Sequence, residues 1–319
     1  MPCDRKAKTR PASRVLLREL EKEGGMPRPA VIGRLNHGTA RGDNSFQAEN
    51  LLRRLIDVGA LILGAKVQCP VCTRHNWYEL DALRYQARCR FCLSDFNMPV
   101  HSPKVINWTY RAHGPFASSN AQGAFTVLLL LKFLSGSHGR GITTLFSYTA
   151  KKDGQVLEAD LTCLYRPSTW RTTRTDVIHA ECKTFNKFKN EDIDRMKLLA
   201  RAFPGSVLIF ASLTQSLSPK EVSAIKALAQ VHRRKRLGRQ PSSHVLVLTG
   251  VELLSERGAP ECWRGKGGLY EKLCEGHCNF QELALLADAT QQIYLGMPSW
   301  FEWSEAEWEK KHARKKANV

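Results

Sequence analysis

The chain has 319 residues, of which 43% are hydrophobic, so it can bury a substantial core and is not a largely disordered protein. It carries 48 Lys and Arg against 30 Asp and Glu, a formal net charge of +18. An excess of this size indicates a polyanionic partner, most often nucleic acid. A generically basic protein without such a partner is the alternative interpretation.

The amino end offers no secretion signal. The stretch "MPCDRKAKTRPASR" is basic, and no apolar segment follows it. The longest apolar run, "AFTVLLLLKFL", is too short to span a bilayer and contains Lys132. We therefore expect a cytoplasmic protein without a membrane partner, whose ten cysteines serve as metal ligands or free thiols rather than in disulfides.

Residues 1–63 read as a basic, helical amino-terminal segment. The stretch "ASRVLLRELEKEGG" predicts one helix, ended by Gly24 and Gly25. After a polar loop, "FQAENLLRRLIDVG" predicts a second helix that stops near Gly59.

Four cysteines follow in two C-x2-C pairs separated by sixteen residues: Cys69, Cys72, Cys89 and Cys92. Each pair forms a tight turn that aims two thiolates at one point, and two such turns complete a tetrahedral Zn²⁺ site. Four protein ligands leave no open position, so the metal is structural and folds a module without a core of its own. The segment resembles a zinc ribbon, which we place at residues 64–103. A redox dithiol is the minor alternative.

Residues 104–250 predict a larger domain in which an apolar helix precedes the strands "TTLFSYTAKK", "QVLEADLTCLY" and "DVIHAECKTF". The first two strands are joined by an Asp153-Gly154 hairpin turn. A helix with Asn190 as its N-cap, the strand "SVLIFASL", a helix opened by a Ser218–Glu221 capping box and the strand "HVLVLTG" complete the series. We expect an α/β fold, with a mixed sheet between helices in the order α-β-β-β-α-β.

Two of these strands carry polar side chains in phase. On the second strand Glu158 and Asp160 point to one face. The apolar side chains share the other face: Leu157, Ala159, Leu161, Cys163 and Tyr165. On the third strand the apolar residues point to the core, and three polar side chains share the opposite face: His179, Glu181 and Lys183. Paired strands would bring Asp160, Glu181 and Lys183 together. Cys163 and Cys182 should be buried on the apolar faces.

This combination suits phosphodiester hydrolysis. Two neighbouring carboxylates repel, and a hard cation such as Mg²⁺ or Mn²⁺ resolves the repulsion with oxygen ligands. A lysine beside the metal can orient water and offset charge that develops on phosphate. Asp160, twenty residues and then Glu181-Cys182-Lys183 also resemble the motif of the PD-(D/E)xK, or restriction endonuclease-like, nucleases, over about residues 116–250.

The resemblance implies that Asp160 and Glu181 bind Mg²⁺ together with the main-chain carbonyl of Cys182, and that Lys183 is the catalytic lysine. Ala159 stands where the motif has its leading Pro. Candidate auxiliary groups are Glu158, Gln122 and His179. A zinc ribbon ahead of such a core is also similar to proteins of bacterial antiphage and mobile-element defence, an argument by analogy alone.

The expected function is thus a metal-dependent nuclease, with DNA as its substrate and a homodimer or protein partner for cutting both strands. A simple Glu–Lys cross-strand pair is the bland interpretation of the motif. The alternative function is a catalytically inactive nuclease-fold subunit that binds or senses nucleic acid inside a larger complex. A zinc-ribbon transcription or recombination accessory factor is a third, which would need only the ribbon.

Residues 251–319 form a carboxy-terminal extension with a basic tail. Cys262, Cys274 and Cys278 lack regular knuckle spacing, and free thiols are favoured over a second metal site. The densest basic run suggests phosphate contacts or a solvated helix end: Arg233, Arg234, Lys235 and Arg236. The tryptophans of "SWFEWSEAEWEKKH" should pack on the core rather than stack on bases.

Overall fold

The structure is a computed structural model of the chain. It describes residues 20, 25–36, 45–98, 107–117, 123–136, 139–167, 175–255, 257–276 and 282–317. The backbone divides into two compact units, residues 1–121 and 122–319. The first predicted helix, at 12–25, lies almost wholly outside the described residues. No helix in the described ranges is long and apolar enough to cross a membrane.

In its described residues, the first unit joins short helices to small antiparallel sheets. Its elements are α1 (Arg28–Asn36), α2 (Ser45–Asp57), β1 (Leu61–Gln68), β2 (His75–Glu79), β3 (Gln86–Arg88), β4 (Asp95–Asn97) and β5 (Asn107–Ala112). Strand β1 lies between β2 and β5, and β3 pairs with β4 as a separate hairpin. The predicted second helix is confirmed as α2. The strand at 107–112, which the sequence assigned to the larger domain, belongs to this unit.

One position in β1 accepts only glycine. A Cβ on Gly64 would lie 2.3 Å from the carbonyl oxygen of Tyr78 and 2.4 Å from the indole ring of Trp77. Trp77 holds its place because its indole Nε1 donates to the hydroxyl of Thr109 across the sheet. The missing side chain therefore lets an aromatic ring pack directly on the backbone of the central strand.

The second unit is a mixed α/β layer structure. Its elements are α3 (Ala124–Ser135), β6 (Gly139–Lys152), β7 (Gln155–Pro167), β8 (Asp176–Lys183), α4 (Asn190–Ala202), β9 (Val207–Ser212), α5 (Pro219–Leu237), β10 (His244–Leu248), α6 (Gly250–Leu253), α7 (Gly268–Gly276), α8 (Leu283–Leu295) and α9 (Trp300–Ala317). The sheet order is β10-β9-β8-β7-β6. Strands β6, β7 and β8 pair antiparallel, and β8, β9 and β10 pair parallel, so the expected mixed sheet is confirmed.

Apolar side chains fill both faces of this sheet. On one face, α3 and α8 pack on alternate residues of β8 and β9, such as Ile178 and Ile209. On the other face, α4 and α5 cover Leu208 and Phe210. Helix α8, which lies beyond residue 250, is thus part of the same core as the strands. Cys163 and Cys182 are buried in the first layer, as the sequence predicts.

The β6–β7 hairpin changes face halfway along its length. Leu161, Cys163 and Tyr165 pack in the layer with α3, whereas Leu157 and Ala159 pack in the layer with α4. The prediction that all five share one face is therefore wrong. The change occurs at Asp160, where β7 passes Ser147 of β6, and the backbone of Ser147 is left-handed, with φ of 47°. This break in alternation bends the hairpin at the position of the candidate acid.

The close packing at Gly64 makes a testable prediction. Gly64→Ala should lower the free energy of unfolding by more than about 2 kcal/mol, because its methyl group would overlap backbone and a fixed ring. Gly33→Ala is the matched control, since no atom lies within 4 Å of its added Cβ in α1 and the helix should gain up to about 1 kcal/mol. Urea titrations of both variants measure the difference, and equal effects would contradict the packing argument.

Candidate functional sites

The four cysteines of the first unit converge on one point. Their ligand atoms all lie within 4.8 Å of one another, with Sγ–Sγ distances of 3.7 Å between Cys69 and Cys92 and 3.5 Å between Cys72 and Cys89. Among the described residues this is the one group of three or more ligand side chains that meets this spacing. Four close thiol groups can bind a metal such as zinc.

The two C-x2-C turns have the same backbone geometry. In each, the residue directly after the second cysteine has a left-handed backbone: Thr73 and Leu93, both with φ of 60°. The amide of Thr73 donates to the carbonyl of Cys69, and the amide of Leu93 to that of Cys89, both at 3.0 Å. This repeated turn is what aims two sulfurs inward from each strand end.

Polar groups around the sulfur of Cys89 favour its thiolate, whereas at Cys72 a backbone hydrogen bond is outweighed by burial and the neighbouring thiols, which raise its pKa to about 11. The side-chain amide of Asn76 and the backbone amide of Phe91 each lie 3.4 Å from Sγ of Cys89. Burial alone would raise the pKa of this thiol, but the amides of Cys92 and Phe91 and the Asn76 side chain lower it to about 6. Donors of this kind would hold the ligands in the deprotonated form that binds metal.

In the second unit, Asp160 is fixed where β7 and β8 part. Its Oδ2 accepts a hydrogen bond of 2.7 Å from the backbone amide of Cys182. Gly123, which precedes α3, borders the same spot: a Cβ there would lie 2.9 Å from the carbonyl oxygen of Cys182 and 3.5 Å from Oδ2 of Asp160. A carboxylate oxygen and a main-chain carbonyl therefore face a space that a side chain would fill.

Glu181 and Lys183 lie at the end of β8 within a ring of ion pairs. Lys183 Nζ is 2.7 Å from Oε1 of Glu181 and 3.0 Å from Oδ1 of Asp192. Arg195 Nη2 is 2.8 Å from Oε1 of Glu181 and 2.5 Å from Oδ1 of Asp192. Each of the two carboxylate oxygens thus accepts from both cations, while the Glu181 residue is only 1% exposed.

Asp192 and Arg195 are the two members that sequence reasoning missed. Both lie in the first turns of α4, and Asp192 also accepts from the backbone amide of Lys189 at 2.7 Å. That contact makes Lys189 the residue that caps α4, one position before the predicted Asn190. In the sequence, Asp192 looks like an ordinary first-turn acid and Arg195 like a solvated helix cation, so no signal separated them from other helix residues.

Burial is the main cause that raises the pKa values of Asp160 and Glu181. Burial, and then the charge of Asp160, raise the pKa of Glu181 to about 7. Burial also raises the pKa of Asp160, against the opposing effects of the Cys182 amide and Lys183. Burial would lower the pKa of Lys183, but its bonds to Glu181 and Asp192 outweigh this and raise it. The two carboxyl groups thus resist carrying charge together, whereas the lysine stays ammonium.

The auxiliary candidates separate clearly. Glu158 is exposed, and Gln122 lies outside the described residues. His179 is fully buried: Nδ1 lies 3.0 Å from the hydroxyl of Thr162, and its ring packs 4.8 Å from that of Phe203. Burial lowers the pKa of His179 to about 4, so it is a neutral core residue at physiological pH.

The four consecutive basic residues near the end of α5 differ in burial and in their partners. Arg233 is buried and donates to Gln291, Asp288 and the carbonyl of Pro298, so its guanidinium does not face solvent as a phosphate contact. Arg236 stacks on Trp300, with Cζ 4.3 Å from the ring centre. Arg234 is exposed and Lys235 partly so.

The carboxy-terminal thiols form no metal cluster in the described part of the chain. Cys262 is buried in the core, Cys274 is half-buried against it, and Cys278 lies outside the described residues. For Cys278, the role of a free thiol stays a prediction. Comparison with known proteins finds no match to the chain among family models, curated proteins or solved structures.

The thiol cluster predicts a metal content. The purified chain should hold one zinc ion, and Cys89→Ser should lose it, because a hydroxyl does not replace a thiolate ligand. Cys274→Ser, at a half-buried cysteine outside the cluster, should keep the full content. Atomic absorption of the three proteins after dialysis measures the ratio, and zinc retained by the Cys89 variant would contradict the assignment.

The raised pKa of Glu181 predicts a pH effect on stability. A carboxyl that holds its proton better when folded contributes stability below its unfolded pKa, and that contribution is lost as pH rises through the folded pKa of about 7. Between pH 4.5 and 8 the wild type should therefore lose about 2–3 kcal/mol relative to Glu181→Gln, in the absence of divalent ions. Urea unfolding at both pH values tests this, and identical pH dependence of the two proteins would refute it.

Proposed function

We propose that the chain is a metal-dependent nuclease of the PD-(D/E)xK type, acting on DNA, with a zinc ribbon in its first unit. The observation that carries the proposal is the meeting of Asp160, the Cys182 backbone, Glu181 and Lys183 where β7 and β8 separate. The element order and the mixed sheet support it. A placement in antiphage or mobile-element defence rests on the resemblance alone.

The residues present fit a hard divalent cation. Asp160 and the carbonyl of Cys182 border the gap beside Gly123, and Glu181 follows in register on the neighbouring strand. Carboxylate and carbonyl oxygens are the ligands that Mg²⁺ and Mn²⁺ take. Such an ion, when bound, supplies Lewis acidity to the phosphate and lowers the pKa of attacking water.

The charge balance of the site favours the same cation. The two carboxylates of the ring cancel Lys183 and Arg195, and Asp160 adds one further negative charge. Burial first, and then a neighbouring carboxylate, raise the pKa values of Asp160 and Glu181. A divalent cation would remove that penalty and leave the site positive toward a phosphodiester.

Lys183 is the residue we assign to charge stabilisation. Hydrolysis adds a hydroxyl to phosphorus and a proton to the departing oxygen, while negative charge builds on the non-bridging oxygens. An ammonium at this site can offset that charge, and Asp192 fixes its position at 3.0 Å. Arg195 is a positioning residue, because it holds Glu181 and Asp192 to the same lysine.

A second candidate function is an inactive nuclease fold that binds or senses nucleic acid. The closed ring favours it, because Glu181 and Lys183 already satisfy each other and Asp192 and Arg195 complete the balance. In that case the four charges serve stability. This function predicts salt-dependent nucleic-acid binding without cleavage.

Cleavage separates the two functions. With Mg²⁺ or Mn²⁺, the wild type should cut plasmid, linear or single-stranded DNA, and Lys183→Ala should lower the rate by about 100-fold or more, because the ammonium at the reacting phosphate is lost. Lys187→Ala, an exposed lysine four residues along the chain, should cut at the wild-type rate. Electrophoresis of fixed-time digests with and without EDTA measures the rates.

The fold of the variants needs its own check, since Lys183 belongs to a partly buried network. Lys183→Gln and Asp160→Asn keep the volume of the side chains and should retain cooperative unfolding while losing cleavage. Metal-dependent cutting by both isosteric variants at the wild-type rate would reject the assigned site. DNA binding without cutting by the wild type, under all metals, would favour the inactive function.

A further inference from the structure

Strand β6 forms an edge of the five-stranded sheet, and β7 is its neighbour there among the described strands. Its residues 141–150, "GITTLFSYTA", contain no charged residue and no proline, although charged residues make up 24% of the chain. Edge strands usually carry lysine, proline or similar devices that prevent pairing with another chain. This one lacks them along its middle.

The same edge exposes apolar side chains on both faces of the sheet. Leu145 and Phe146 are neighbours in β6 and so point to opposite faces, and each is 56% exposed. Leu164, which is 49% exposed, lies on β7 opposite Thr143. Apolar groups thus lie above and below a row of backbone hydrogen-bonding groups, which suits strand addition better than contact through one face.

The edge is also complementary to itself. The regular part of the strand ends at Ser147, whose φ is 47°, which leaves residues 141–146 for pairing. Antiparallel pairing about a twofold axis at Thr144 would place this threonine opposite its own copy. Thr143 would then lie opposite Leu145 of the second copy and Ile142 opposite Phe146, with no like charges in contact. A twofold axis closes such an assembly at two chains.

We propose that two copies of this chain associate through antiparallel pairing of their β6 edges, giving one continuous ten-stranded sheet. Five paired residues with a few apolar side chains make a smaller contact than the roughly 1,200 Å² of a standard stable interface, so we expect a weak, reversible dimer. As a consequence that rests on the proposed function, the dimer carries two cleavage sites and can cut both strands of a duplex.

Sedimentation velocity between about 1 and 100 µM, a range suited to a weak dimer, tests the association. The wild type should shift from monomer to dimer across this range. Leu145→Lys should remain monomeric, because a charge in the paired edge would face the second copy. Leu285→Lys is the matched control: this leucine of α8 is 47% exposed, its helix packs on β10 at the opposite edge of the sheet, and the variant should dimerise like the wild type.

Each outcome bears on the proposal. A wild type that stays monomeric at about 100 µM, or a Leu145→Lys variant that still dimerises, overturns it. Loss of the dimer in both leucine variants would contradict the placement of the interface at the β6 edge. Plasmid assays keep this separate from catalysis: a monomeric Leu145→Lys that nicks instead of linearising plasmid supports the link, whereas a dimer that never cuts contradicts only the nuclease function.

Discussion

Glu181 is the constraint around which the second unit is arranged. An ionised carboxylate buried among apolar strands is unfavourable unless cations pair with it. Lys183 supplies one from the same strand, and Arg195 supplies the other from α4. Because Arg195 must reach Glu181, the first turns of α4 are held against the end of β8. The cap at Lys189 and the packing of the apolar face of α4 on the sheet hold the helix in the same place.

The bend of the β6–β7 hairpin serves the same region. If both strands had continued straight, Leu157 and Ala159 would cover the same layer as Leu161. Instead they pack beside α4, so the hairpin tip wraps over that helix. Asp160 lies at the bend, and its carboxylate satisfies a backbone amide that the parted strands leave. Asp160 therefore stabilises the backbone at the bend, in addition to the metal-binding role that we propose for it.

Much of this was predictable from local pattern. Period-two alternation located β7 and β8, continuous apolar runs located β9 and β10, and the Cys spacing located the thiol cluster. Alternation could not reveal the bend, because Ser147 has no preference that announces a left-handed backbone. Nor could alternation reveal the ion pair between Asp192 and Lys183, because an acid in the first turn of a helix is already explained as a capping residue. Arg233 looked solvated because its partners, Asp288 and Gln291, lie over fifty residues away in sequence.

The ring of four charges has a consequence for how this protein can change. Removing Lys183 or Asp192 alone leaves an unbalanced charge in the poorly hydrated ring, whereas removing one acid and one base together keeps the ring balanced. Viable sequence change should therefore proceed in oppositely charged pairs. A lineage that no longer needed the chemistry would still retain Lys183 until Glu181 or Asp192 was replaced with it.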